Sequence, residues 1–198
     1  MKCNNQFIFK NHTFNYITNV LNTNQDKTER IVELPIMEYF LNNYINPNTI
    51  EIGCVSPYYF NTSHKIFDLT DPHPRCTKKN AFDVDLTNSY LLSISTVEHF
   101  GLSDYNINNI VFFDPYMWIL LAIKKCNKFL ITYPLGYNKK LDNKILNSSL
   151  DIDILCRIPG TSHWIEKNKS ELTEYDLTYD FSFNTCANSI IIIQNIIL

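Results

Sequence analysis

The sequence predicts an α/β domain built on a doubly wound, mainly parallel sheet of seven strands. Short β-branched runs alternate with stretches of helical periodicity, which is the pattern of a sheet covered on both faces. Several of those runs stop at a glycine or an acidic residue, as strands do where they meet a ligand loop. No internal repeat or linker divides the chain, and 198 residues suffice for one domain with a sizeable core. Residues 1–198 are therefore expected to form a single domain, with 1–25 as an N-terminal extension and 159–187 as an insertion able to cover a pocket.

The elements follow in order. Phe7 to Val20 reads equally as a short strand or a helix. From Asp26 to Ile45 the residues Ile31, Leu34, Met37, Leu41 and Tyr44 share one helical face, with Asp26 and Glu29 spaced as a capping box and Pro35 awkwardly placed inside. After the breaker Asn46-Pro47-Asn48, Thr49 to Gly53 is the first strand. Lys65 to Phe67 is the second, Ala81 to Val84 the third and Tyr90 to Ile94 the fourth, the last followed by a helical turn at Val97 to Phe100. Asp114-Pro115 starts a helix that is apolar nearly all round to Cys126 and so reads as buried. Phe129 to Tyr133 is the fifth strand, Leu141 to Leu146 a weak helix, Ile152 to Ile158 the sixth strand and Ser189 to Ile196 the seventh. Asn-rich patches such as 106–109 read as loops.

In an open parallel sheet ligands bind beyond the carboxyl ends of the strands. The residues there are Glu51 and Gly53, Asp68, Asp83 or Asp85, Ser93 to His99, and Tyr133 to Tyr137. Asp71 and Asp85 stand near enough to take the places of Asp68 and Asp83, and each acid serves equally as a turn or cap residue. His99 is the best-placed general base, because its ordinary pKa suits proton transfer near neutrality; a packing role is the plain alternative.

Glu51-Ile52-Gly53-Cys54 resembles the Glu-x-Gly-x-Gly signature of class I S-adenosylmethionine-dependent methyltransferases, and Ser93 to His99 resembles the fourth-strand segment of that family. The resemblance runs in order from about Ile31 to Tyr137 and is closest to a branch whose first loop lacks the later glycines. It implies a Rossmann-like methyltransferase fold whose seventh strand is antiparallel, and S-adenosyl-L-methionine as cofactor. Gly53 would let the backbone approach the methionine part, and Glu51 would orient that loop or reach the amino group through water. Asp68 would hold the ribose hydroxyls, Asp83 would meet the adenine amino group with Val84 packing on the ring, and Ser95 and Thr96 would lie under the methyl. His99 would act as base, with Glu98 orienting it or touching the substrate. Tyr58, Tyr133 and Tyr137 would wall the acceptor pocket, and Trp164, Tyr175 and Tyr179 would cover it.

A small acceptor, a sugar or other hydroxylated metabolite, fits the modest chain length. A catalytically degenerate relative acting as a binding or regulatory partner is the second reading, favoured by Val55-Ser56-Pro57 where glycines are usual. The same loop weighs against a nicotinamide or nucleotide-sugar site, since a pyrophosphate needs the Gly-rich turn. A net charge of -3 and a pI near 5.9 supply no basic field for nucleic acid. The six cysteines are scattered without zinc-like spacing, so a metal is not expected and a reduced, cytoplasmic setting is. The N-terminus lacks the apolar stretch of a secretory signal, and the run from Ile190 is too short to span a membrane.

Overall fold

A computed structural model describes residues 5–23, 28–103, 114–180 and 186–198. The expected cap at Asp26 and the Asn-rich loop at 106–109 lie outside the described residues. Eight strands form one sheet: β3 (Thr49–Ile52), β4 (Lys65–Asp68), β5 (Cys76–Lys78), β6 (Tyr90–Ile94), β7 (Lys128–Pro134), β8 (Asp153–Arg157), β9 (Trp164–Glu166) and β12 (Ser189–Gln194). Their order is β5-β4-β3-β6-β7-β12-β8-β9. The five from β5 to β7 are mutually parallel, while β12 lies antiparallel between β7 and β8 and β9 is antiparallel to β8.

The third strand is Cys76–Lys78, not Ala81 to Val84, which instead contributes a single 3-10 turn, Ala81–Asp83, capped by the Asn80 side chain accepting from Phe82 N at 3.0 Å. β9 adds an edge strand beyond the seven expected. Only three α-helices occur among the described residues: α1 (Arg30–Tyr44), α2 (Pro115–Lys125) and α3 (Lys139–Leu146). The connections from β3 to β4 and from β5 to β6 carry 3-10 turns instead of α-helices, and the one from β4 to β5 carries neither.

The pleat sorts the sheet's side chains between two cores. Ile52, Leu91, Ile131, Tyr133 and Ile191 face α2 and α3, while Leu92, Ile94, Leu130, Ile190 and Ile192 face α1. Helix α2 buries only Trp118, Ile119 and Ala122, and Met117 is 57 % exposed, so the helix is amphipathic where an all-round apolar sequence suggested full burial. Pro35 is accommodated because the Ile31 carbonyl it deprives of a helical donor accepts from Ile17 N at 3.4 Å.

The N-terminal segment is a hairpin, β1 (Gln6–Phe9) with β2 (His12–Asn15), turned by Lys10 and Asn11 at positive φ. Phe7, Phe9 and Phe14 bury into the α1 core. Before the last strand, β10 (Tyr179–Asp180) pairs with β11 (Cys186–Ala187). No helix among the described residues is long and apolar enough to cross a membrane.

Candidate functional site

The chain steps from β3 outward to β4 and β5, then returns to the other side of β3 as β6, so the strand order reverses between β3 and β6. Loops leaving neighbouring strands diverge at such a point and leave a crevice beyond their carboxyl ends. A cavity of about 710 Å³ opens there. That volume suits a small organic ligand.

Gly53 ends β3 at φ 89°, and a Cβ on it would stand 2.0 Å from Thr96 Oγ1. Glycine is required here twice over, for the left-handed backbone and for the close approach of the loop after β6. Glu51, one residue before Ile52, is fully buried and does not line the cavity. Its carboxylate accepts from Val55 N and Ser56 N, each at 2.8 Å, from Ser56 Oγ, and pairs with His64 Nε2 at 2.7 Å. Glu51 therefore shapes the loop that in a glycine-rich chain would shape itself. Ser56 and His64 are the partners sequence reading missed. Ser56 is fully buried behind the loop, so the trio is no exposed nucleophile of the hydrolase kind.

Asp68 lines the cavity at the end of β4, where its Oδ1 accepts from Thr70 N at 2.7 Å and Asp71 N at 2.8 Å. Asp71 lines it too, held by Tyr58 Oη at 2.9 Å and His73 N at 2.8 Å. The rim continues through Asn80, Ala81 and Phe82, but Asp83 is exposed to solvent, Val84 packs in the core, and neither reaches the cavity. The cause is the strand boundary: β5 ends at Lys78, so the residues facing the crevice come earlier in the chain than Asp83. Asp85 is likewise exposed and off the cavity.

Ser95 and Thr96 leave β6 into the cavity. Ser95 holds a left-handed φ of 41°, rare for a side-chain-bearing residue, and is tied in place by its N–H on Thr132 O at 2.9 Å and its Oγ on both Glu33 oxygens at 2.8 and 2.9 Å. Glu33, buried on α1, also accepts from Thr132 Oγ1 at 2.6 Å and pairs with Arg30 at 3.2 Å. The 3-10 turn Val97–His99 then sets Glu98 and His99 on the wall, with His99 Nε2 3.6 Å from Glu98 Oε1 and its ring edge-on to Tyr137 at 4.7 Å. Tyr179 lines the same end, 5.1 Å from Tyr137. It is brought there by Gly136, where a Cβ would stand 2.6 Å from Tyr179 N. Tyr58 also lines the cavity; Tyr133, Trp164 and Tyr175 do not.

Three buried glutamates, Glu29, Glu33 and Glu98, thus converge on this end with Arg30, whose side chain is 13 % exposed. Burial, with the neighbouring carboxylates Glu33 and Glu29 in support, pushes Glu98 well above the usual range, and burial then Glu33 raise Glu29. Burial works to lower Arg30, but Glu33, Tyr59, Glu29 and Glu98 outweigh it and raise it. This cluster was not anticipated from sequence, except for Glu98.

Among the described residues no group of three or more His, Cys, Asp and Glu is arranged to hold a metal, and Cys54, Cys76, Cys126 and Cys156 are free thiols. No family model matches the chain, and no curated protein or solved structure matches it significantly.

Proposed function

We propose that the chain is an S-adenosylmethionine-dependent methyltransferase acting on a small acceptor. The observation that carries this reading is the cavity at the strand-order reversal, with Gly53 and Asp68 on its rim and Ser95, Thr96, Glu98 and His99 along its wall. The antiparallel insertion of β12, the last strand, between β7 and β8 agrees with the seventh strand that the sequence resemblance implies; β9 then extends a seven-stranded core. The turn Ser56–Tyr58 after β3 offers no long helix N-terminus to a pyrophosphate, which favours a phosphate-free cofactor over a dinucleotide.

The residues present suit an adenosyl group. Asp68 commits Oδ1 to its own loop, and a carboxylate has acceptor capacity left for vicinal hydroxyls. Phe67, Leu69 and Phe82 supply apolar walls, and Asn80 with the Ala81–Phe82 backbone takes the adenine-reading place expected of Asp83 and Val84. Gly53 gives the bare backbone beside the methionine part. When bound, the cofactor supplies an electrophilic methyl on a sulfonium sulfur. The chain's task is then to hold an acceptor in line and take its proton, for which His99 on the wall beside Glu98 is the candidate base. A sugar or other hydroxylated metabolite remains the expectation for the acceptor brought from sequence.

The helix-free connection after β3 favours one alternative, a catalytically degenerate relative that binds ligand as a regulatory partner. Calorimetric titration with S-adenosylhomocysteine, NAD and a nucleotide sugar tests the family of readings. The first should bind, and Asp68→Asn should weaken it by about ten-fold while NAD and the nucleotide sugar stay silent. Binding of NAD instead would overturn the proposal, and bound cofactor without turnover on any acceptor would select the alternative.

A further inference from the structure

Glu98 is 1 % exposed, lines the cavity, and its Oε2 has no hydrogen-bond partner among the described residues. A buried carboxyl oxygen without a donor is costly, and in native structures such atoms mark strain, a catalytic role or a bound water, ion or ligand. The surroundings define what would complete it. Arg30 pairs with Glu33 at 3.2 Å, its Nη1 making no hydrogen bond among the described residues, and Glu29 Oε2 accepts from Ala187 N at 2.9 Å. Among the described residues Arg30 is the guanidinium facing these three carboxyls, so what Glu98 lacks is an N–H donor whose positive charge would favour its ionised form. Tyr137 and Tyr179 supply ring faces and edges at the same end, and such rings favour a cation at their faces.

We propose that the end of the cavity walled by Glu98, Glu29 and Tyr179 is a subsite for a cationic nitrogen, a primary ammonium or a guanidinium. As the acceptor class for methyl transfer this rests on the function proposed above, and it replaces a hydroxylated acceptor with an amine-bearing one. As a binding site it stands on the side chains alone. The titratable and charged groups facing Glu98 are Glu29, Arg30 and Glu33 from the start of α1, His99 beside it, Tyr133 of β7 and Tyr179 of β10. Burial raises the Glu98 carboxyl above its usual range, so a cation that docks on it favours the ionised form, and a proton held there departs to solvent while the ligand keeps its charge.

Calorimetry with n-butylamine, n-butylguanidine and 1-butanol, each in two buffers of different ionisation enthalpy, tests this directly. At least one of the two cations should bind the wild-type protein about ten-fold more tightly than the alcohol and release about one proton per ligand where Glu98 is protonated. Glu98→Gln should abolish that release and weaken the cation by about ten-fold, while the wild-type circular-dichroism spectrum and a cooperative urea transition certify the fold. Equal binding of alcohol and cation, or unchanged proton release in Glu98→Gln, would overturn the subsite. Should both cations fail while S-adenosylhomocysteine binds, the subsite falls and the methyltransferase reading stands. Cation binding with proton release but no S-adenosylhomocysteine binding would keep the subsite and remove the methyltransferase reading.

Discussion

Gly53 shows how much one position carries. Its φ of 89° and the 2.0 Å gap to Thr96 Oγ1 mean that Gly53→Ala meets both backbone strain and a clash with Thr96. The substitution should cost about 2 kcal/mol or more in urea unfolding. Adding Thr96→Ala, which removes the two nearest atoms, should return part of that loss and leave the backbone share; strict additivity of the two changes would contradict the contact. Gly53 and Asp68 were legible because a strand ending in a glycine or an acid is a local signal. Asp83 and Val84 were misplaced because Cys76-Thr77-Lys78, short, largely polar and at the sheet's edge, gives no apolar run, whereas the apolar stretch 81–84 is a turn packed on the core.

Among the elements, α1 does more than cover a sheet face. Its first turns bring Glu29, Arg30 and Glu33 beneath the cavity, and Glu33 alone ties Ser95, Thr132 and Arg30. Glu33→Ala should destabilise the protein by about 3–5 kcal/mol, since it strands a buried guanidinium and two hydroxyls. A change below about 1 kcal/mol in chemical denaturation would show that the network is not structural. Nothing in Ile31-Val32-Glu33-Leu34-Pro35 announced this role, because a helical stripe reports which face is buried and is silent on what an acid there will meet. Helix α2 teaches the converse. Trp118→Ala should cost about 3–5 kcal/mol, and Met117→Lys should stay within about 0.5 kcal/mol, a contrast that an all-round buried helix would erase. The hairpin at 6–15 escaped notice because its turn, Lys10-Asn11, lacks the glycine that usually marks one. The final strand was plain: Ile190 to Ile193 bury on both faces, and both-sided burial is what a continuous apolar run encodes.

For the whole molecule, protonated buried acids tie stability to pH. Burial raises Asp142 to about 7 from 3.8, outweighing the Gly136 N–H that it accepts, and Glu29 and Glu98 are raised for the same reason. An acid whose folded pKa lies above its unfolded one holds a proton that the unfolded chain has already lost. Its stabilising share is complete below the unfolded value and is lost as pH rises through the folded value, for Asp142 between 3.8 and about 7. Urea midpoints should therefore fall between about pH 4 and about pH 7, and Asp142→Asn should flatten part of that slope. A midpoint that climbs over the same window would contradict the assignment. The two cores on either side of one sheet make this a property of the domain as a unit, because α1 with the hairpin and α2 with α3 share the same central strands.

That the crevice between β3 and β6 is an adenosyl site is tested most directly by a crystal structure with S-adenosylhomocysteine. Ligand density should lie along that crevice, with the ribose hydroxyls on the Asp68 carboxylate, the adenine against Phe82, and the sulfur turned toward Ser95 and Thr96. Density elsewhere, or an empty cavity in crystals grown with saturating ligand, would contradict it.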